Sequence, residues 1–351
     1  MSGVHLRCAC LGRLRGLSAY KEFSMNRIEE FARIFKLPPA MMPHVDFVVT
    51  RQEMDLILWL GDGKASVGQI ADMMETSLEE AEGFLERAYH RHVVGREATD
   101  DGELRYSSGT FYERLNPLAM YEQWGAVPAE VREAVIEWDL DAFLKLWEPA
   151  IRQIQADPDA AVVIPNRDVV LLEEALEMVE AAEVHVVVPC DCRSIIKACD
   201  RPVENCVRLD KGALATLEHG MGRRVSRQEC KRIVVEADRA GLMHTGDQAW
   251  RENGLYGFCS CCACDCFPIR AAERVGLERA WPRRHHTAVR DLDACVHCGM
   301  CVERCHFGAF HLEHVEGQGA AVVAFDAERC WGCGICATAC PESAIEMDIR
   351  R

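Results

Sequence analysis

Cys295-Val-His-Cys298-Gly-Met-Cys301-Val-Glu-Arg-Cys305 returns thirty-five residues later as Cys330-Trp-Gly-Cys333-Gly-Ile-Cys336-Ala-Thr-Ala-Cys340. Both stretches read Cys-x2-Cys-x2-Cys-x3-Cys; Gly299 matches Gly334, Ala309 matches Ala344, and the second run continues into Pro341. Three thiolates on one tight loop can cap three irons of a cubane only if the backbone winds around it, and glycine between ligands lets the chain approach the inorganic sulfides. Zinc ribbons use paired Cys-x2-Cys knuckles instead, so four staggered thiolates repeated twice suit two cubanes better than structural zinc.

Over about residues 288 to 348 this pattern resembles the bacterial ferredoxins that carry two [4Fe-4S] clusters. The resemblance implies one cluster on Cys295, Cys298, Cys301 and Cys340 and the other on Cys330, Cys333, Cys336 and Cys305, because the fourth cysteine of each run serves the opposite cluster. The first run is followed by His306 where that family usually has proline. Short apolar runs at Ala309 to Leu312, Ala320 to Phe325 (after Gly317 and Gly319) and Ala344 to Met347 fit the strands of a ferredoxin-like unit. So small a core needs metal ligation for much of its folding free energy.

The whole chain has 351 residues, 49% hydrophobic and 27% charged, enough for two or three cores; disordered and collagen-like classes are excluded. Forty basic against fifty-six acidic residues leave a net charge of −16, which opposes nonspecific attraction to phosphate or anionic lipid. No apolar run is long enough to cross a bilayer, and no signal-peptide pattern opens the chain, so a soluble, cytoplasmic protein is expected. Its 20 cysteines then call for metal rather than disulfides. Besides the final eight, ten fall between Cys190 and Cys266 and two, Cys8 and Cys10, lie in a basic extension over residues 1–24 that reads as dispensable or as a misassigned start at Met25.

The middle cysteines are local chemistry. Residues 168–182 read as a helix, Val184 to Val188 as a strand that stops at Pro189 and delivers Cys190-Asp191-Cys192-Arg193, and Ser226 to Ala240 as a capped helix closed by Gly241. Cys199 and Cys206 are expected on a short helix and the chain leaving it. Then comes Cys259-Ser-Cys261-Cys262-Ala-Cys264-Asp-Cys266. If extended, this segment puts Cys262, Cys264 and Cys266 on one face and Cys259 and Cys261 on the other. Cys190, Cys192, Cys199, Cys206, Cys259, Cys261, Cys262, Cys264 and Cys266 are the candidate ligands of a further iron-sulfur cluster, with zinc or a redox-active dithiol as alternatives and the partition open; Cys230 reads as buried and inert. Asp191, Arg193, His219 and His244 are expected as supporting or surface residues. The combination looks like ferredoxin-fused proteins of anaerobes, and that resemblance names no substrate.

At the front, Glu53 to Leu60, Val67 to Met74 and Ser77 to His92 read as helices, followed by a hairpin of Val93 to Gly95 and Leu104 to Tyr106. In order, though in no single residue, residues 45–115 resemble the winged-helix superfamily. A DNA reader needs cationic phosphate contacts, yet residues 51–115 hold seven Arg or Lys against fourteen Asp or Glu, and the third helix opens with Glu79, Glu80 and Glu82. Nucleic acid is not the expected partner.

The expected class is therefore α+β multidomain: a winged-helix-like domain over 25–116, a helical connection and mixed α/β Cys-rich domain over 117–287, and a ferredoxin-like domain with two [4Fe-4S] clusters over 288–351. The expected function is low-potential electron transfer to a further metal centre or partner oxidoreductase. Two alternatives stand beside it, a reductase with an open-site cluster in the middle domain and a redox-sensing winged-helix regulator.

Overall fold

The computed structural model describes residues 25–314 and 321–350. The extension with Cys8 and Cys10 and the Gly317/Gly319 turn lie outside the described residues.

Helix starts in the front half are set by reciprocal caps. Thr50 with Glu53 opens Arg51–Leu60, Ser66 with Gln69 opens Val67–Met74, and Ser77 with Glu80 opens Leu78–His90. Strands β1 (Lys64–Ser66), β2 (Val94–Ala98) and β3 (Leu104–Ser108) form an antiparallel sheet ordered β1-β3-β2. Three helices follow at Phe111–Tyr121, Ala129–Leu146 and Glu148–Ala156. The second of these runs unbroken to Leu146, and the third begins with Pro149 in its first turn. Phe31, Met54, Phe84, Phe111 and Trp124 share one core that continues into Ile195, Phe267 and Trp281, so apolar packing runs unbroken past residue 116.

The middle region is built on β4 (Asp168–Val170), β5 (His185–Pro189), β6 (Glu204–Leu209), β7 (Arg223–Arg224), β8 (Met243–Gly246) and β9 (Gly257–Cys261). These make an antiparallel sheet ordered β4-β8-β9-β6-β5-β7. Helices Leu172–Ala181 and Arg227–Arg239 cover one face through Val207, Leu209, Phe258, Met178 and Val234. The helix expected over 168–182 is shortened at its start because Asp168 is drawn into β4, where Arg283 and His285 hold its carboxylate. Cys206, expected in or just after a helix, sits inside β6.

At the C-terminus β10 (His286–Arg290) pairs with β13 (Ile345–Ile349), and β11 (Phe310–Glu313) pairs with β12 (Val322–Phe325). Each cysteine run enters a short helix through a left-handed glycine, Gly299 at φ 80° and Gly334 at φ 78°, the conformation that glycine adopts without a side-chain clash. The whole is mixed α/β, and among the described residues no helix is long and apolar enough to cross a membrane.

Candidate metal centres

Strand alternation decides where the middle thiols point. In β6, Val207 and Leu209 face the helices, leaving Cys206 and Arg208 on the other side; in β9, Phe258 faces the helices, leaving Cys259 and Cys261. Register then sets Cys206 beside Cys259, since Val207 pairs with Phe258, and next to Val188, whose strand leads through Pro189 into Cys190. Cys192 follows in the short helix Asp191–Ile196, and Cys266 caps Phe267–Arg274.

Six thiols close into a ring. Side-chain hydrogen bonds join Cys190 to Cys192 and Cys206, Cys266 to Cys192 and Cys261, and Cys259 to Cys206 and Cys261; the Cys261–Cys266 separation is 3.4 Å. Bonds from two neighbours pull Cys190 and Cys259 well below the ordinary thiol range and Cys266 to about 5. The same bonds, with burial, hold Cys192, Cys206 and Cys261 up as donors. Metal binding would displace the protons that these thiols share. Asn166 donates to Cys261 at 3.4 Å, the backbone N–H of Phe267 donates to Cys192 at 3.5 Å, and Arg208 lies beside Cys259. Six thiolates exceed the four positions of one tetrahedral ion, so the donor set suits a polynuclear centre.

Cys262 and Cys264 do not join the ring. The expected division of Cys262, Cys264 and Cys266 from Cys259 and Cys261 is overturned because the chain leaves β9 after Cys261 and turns through residues 263–265, bringing Cys266 back to the sheet face. Cys262 and Cys264 instead meet Cys199 and Asp265, their ligating atoms all within 4.8 Å of one another. Arg193, expected as a supporting residue, is 1% exposed; it donates to Pro202 O, Ser260 O and Cys262 Sγ and so ties both groups together. Cys230 is buried in the helix core, where burial lifts its thiol to about 12.

An acidic cluster borders the ring that the sequence did not reveal. Burial and then the neighbouring Cys190 and Cys259 push Asp191 up to about 6, while burial and then Asp191 push Asp139 to about 7. Tyr112 is raised by burial and by these two carboxylates. His244, by contrast, lies on the helix side of β8 against Ser260, and burial lowers it to about 4.

In the C-terminal segment, a small cavity of about 20 Å³ is lined by Cys295, Cys298, Cys301 and Cys340. Burial lifts Cys333 to about 12 and raises Cys336, with Cys305 and Cys330 among the nearby charges acting on both. Cys305 and Cys340 accept the N–H groups of Ala309 and Ala344 at 3.2 and 3.3 Å, which accounts for the repeated alanines. Cys298 is exposed, whereas Cys330 and Cys336 are buried. Trp331 and Ile335 join Cys261, Cys266, Met243 and Ile269 in one apolar cluster with Cys333 and Phe307 packed against it; the Phe307 and Trp331 rings stack at 4.1 Å. His306 bonds the Gly241 carbonyl and thereby pins this segment to the middle region.

On the front helix Leu78–His90, Arg87 is exposed and makes no ion pair among the described residues, whereas the two arginines that follow the helix are occupied. Arg91 pairs with Glu53 and Glu122, and Arg96 with Glu86 and Glu218. Tyr89 stacks on His219, which places the helix end against the middle region; burial takes His92 to about 4.

Comparison with known proteins bears on the last of these regions. The family described as a 4Fe-4S dicluster domain matches residues 294–344. Pyruvate synthase subunit PorD of Methanothermobacter marburgensis is 38% identical over 58 residues, 16% of this chain and 60% of that protein. The methylamine utilization ferredoxin-type protein MauM of Paracoccus denitrificans is 38% identical over 63 residues, 16% of this chain and 28% of that protein. Indolepyruvate oxidoreductase subunit IorA of Thermococcus kodakarensis is 28% identical over 136 residues, 36% of this chain and 20% of that protein. The chain therefore spans under two thirds of each of these relatives. Its C-terminal segment is a ferredoxin-type 4Fe-4S domain, and the clustered cysteines there fit iron-sulfur ligation in an electron-transfer role.

Proposed function

We propose that this protein carries low-potential electrons through two [4Fe-4S] clusters to a further metal centre in the six-thiol ring, or outward to a partner oxidoreductase. Cys295, Cys298, Cys301 and Cys340 would hold one cluster, and Cys330, Cys333, Cys336 and Cys305 the other. The shared cavity of the first four and the nearness of Cys305 to Cys333 and Cys336 support this crossed arrangement. Bound there, such clusters supply one-electron chemistry at potentials of about −700 to +450 mV, set by charge, exposure and hydrogen bonds to sulfur. The chain governs each variable: Ala309 and Ala344 donate to ligand sulfur, Trp331 and Phe307 exclude water from the inner site, and exposed Cys298 with Val296 and Met300 opens the outer one to a partner. Pyruvate synthase and indolepyruvate oxidoreductase subunits among the relatives favour an oxidoreductase as that partner.

The observation that carries this reading is the continuous apolar contact from Cys333 through Trp331 to Cys261 and Cys266, with no water layer needed between the two thiol groups. Freeze-quenched reduction of the anaerobic holoprotein should show the ring's signal changing after the C-terminal signals, and a Cys333→Ala protein should lose that late change. Equal ring reduction in both proteins would refute the route. The winged-helix-like unit around residues 45–115 serves here as a docking element, a role supported by the occupied Arg91 and Arg96.

A reductase reading draws on Asp139, Asp191 and Tyr112, which place exchangeable protons beside the ring. It requires that the reduced protein discharge into a small acceptor with proton uptake and that Asp139→Asn slow this step; an unchanged rate would remove that reading.

A further inference from the structure

Cys199, Cys262, Cys264 and Asp265 form a donor set separate from the ring, and we infer that they bind one tetrahedral divalent cation of the zinc type. Tetrahedral coordination with metal–sulfur bonds of 2.3 Å puts two thiolates about 3.8 Å apart. The Cys199 and Cys262 sulfurs are 3.8 Å apart, and Cys262 Sγ lies 3.4 Å from Asp265 Oδ2. A cubane instead seats each thiolate on a different iron around the outside of a cage, which spreads four donors wider than one ion does. Cys199 Sγ–H donates to Asp265 Oδ2 at 2.9 Å, and a bound cation would replace that proton.

The surroundings are organised for this set. The backbone N–H of Ala198 donates to Asp265 Oδ1 at 2.8 Å and turns Oδ2 toward the thiols. Arg193 donates to Cys262 at 3.4 Å, Arg201 donates to Cys264 at 3.8 Å, and the buried Arg193 Nε, otherwise without a hydrogen-bond partner, lies 3.8 Å from Asp265 Oδ2. Three thiolates and a carboxylate with one divalent ion leave two negative charges, which these two guanidinium groups balance. Asp265 is 1% exposed and Cys262 is fully buried, so the anions need such compensation.

The site has a consequence for the ring. Cys262, Cys264 and Asp265 flank the turn that returns Cys266 to the sheet face, and Cys199 anchors it to the loop after Cys192. A bound ion would therefore brace that turn, while Cys261 in its strand and Cys266 at the head of Phe267–Arg274 keep their own supports. The inference holds whether or not the ring carries electrons.

The test is elemental and sulfide analysis of full-length protein purified anaerobically, comparing wild type with Cys199→Ser, Cys264→Ser and Asp265→Cys. Each serine variant should lose roughly one metal ion per chain with no loss of acid-labile sulfide, while Asp265→Cys should keep the ion through a fourth thiolate. Cobalt supplied in place of zinc should give tetrahedral thiolate absorption in wild type and Asp265→Cys and lose it in the serine variants. Loss of about four irons and matching sulfide in Cys199→Ser would overturn the inference in favour of a cubane, and unchanged metal in all variants would overturn it outright. Should the serine variants fail to fold, Asp265→Cys alone decides, because retained sulfide-free metal with cobalt absorption supports the site and its absence refutes it.

Discussion

Replacing Cys340 with alanine distinguishes crossed from sequential ligation. Crossed ligation removes the outer cluster, whose other ligands include exposed Cys298, and keeps the inner one behind Trp331; sequential ligation does the reverse. Either way, roughly four irons leave the C-terminal segment, so iron content cannot choose between them, but the accessibility of the survivor can. Trp331 is 6% exposed and stacks on Phe307, and re-exposing a buried side chain of this size costs about 2 to 3 kcal/mol. A chelator that must await this opening meets an open population roughly 30- to 150-fold smaller. The assay is anaerobic bleaching by a hydrophilic iron chelator, followed by absorbance. The remaining C-terminal cluster of Cys340→Ala should bleach in a slow phase, and that of Cys305→Ala in one faster by about that factor. The opposite order would refute the crossed assignment, and equal rates would refute the burial argument beneath it.

Three further outcomes follow from single residues. Burial raises Asp139 from the unfolded value of 3.8 to about 7, so it stays protonated in the native state while the unfolded chain ionises. Its stabilising contribution is complete below pH 4 and disappears as pH rises toward 7; Asp139→Asn should flatten the melting temperature across that window by an amount equivalent to about 2–4 kcal/mol, and an unchanged slope would refute the assignment. Trp331→Ala should destabilise the protein by about 3–5 kcal/mol in chemical denaturation and slow electron arrival at the ring, whereas wild-type stability and kinetics would remove Trp331 from the contact. Arg193→Ala should cost about 3–5 kcal/mol by stranding Asp265 and the buried carbonyls; a loss below about 1 kcal/mol would mean that the ion pair is not structural.

The doubled cysteine run made the C-terminal segment legible because its cysteines repeat within eleven-residue windows and its glycines sit where the backbone must turn left-handed. Pro189 and the strand before it likewise announced Cys190 at a sheet end. The ring was hidden because its contacts cross strands: Cys206 meets Cys259 through register, and Cys192 meets Cys266 only after the two short helices dock. Strand alternation misplaced Cys266 because a turn, not a continued strand, follows Cys261. Asp265 offered only one signal, its place between Cys264 and Cys266, while Asp139 drew no reading from the sequence and becomes distinctive only when its helix packs against Asp191.

A redox centre on the middle thiols would add iron and acid-labile sulfide beyond the roughly eight of each that two C-terminal cubanes carry. Iron and acid-labile sulfide measured per chain on anaerobically purified protein address it most directly. Iron and sulfide both clearly above about eight per chain are predicted, and values that stop at about eight of each would contradict it.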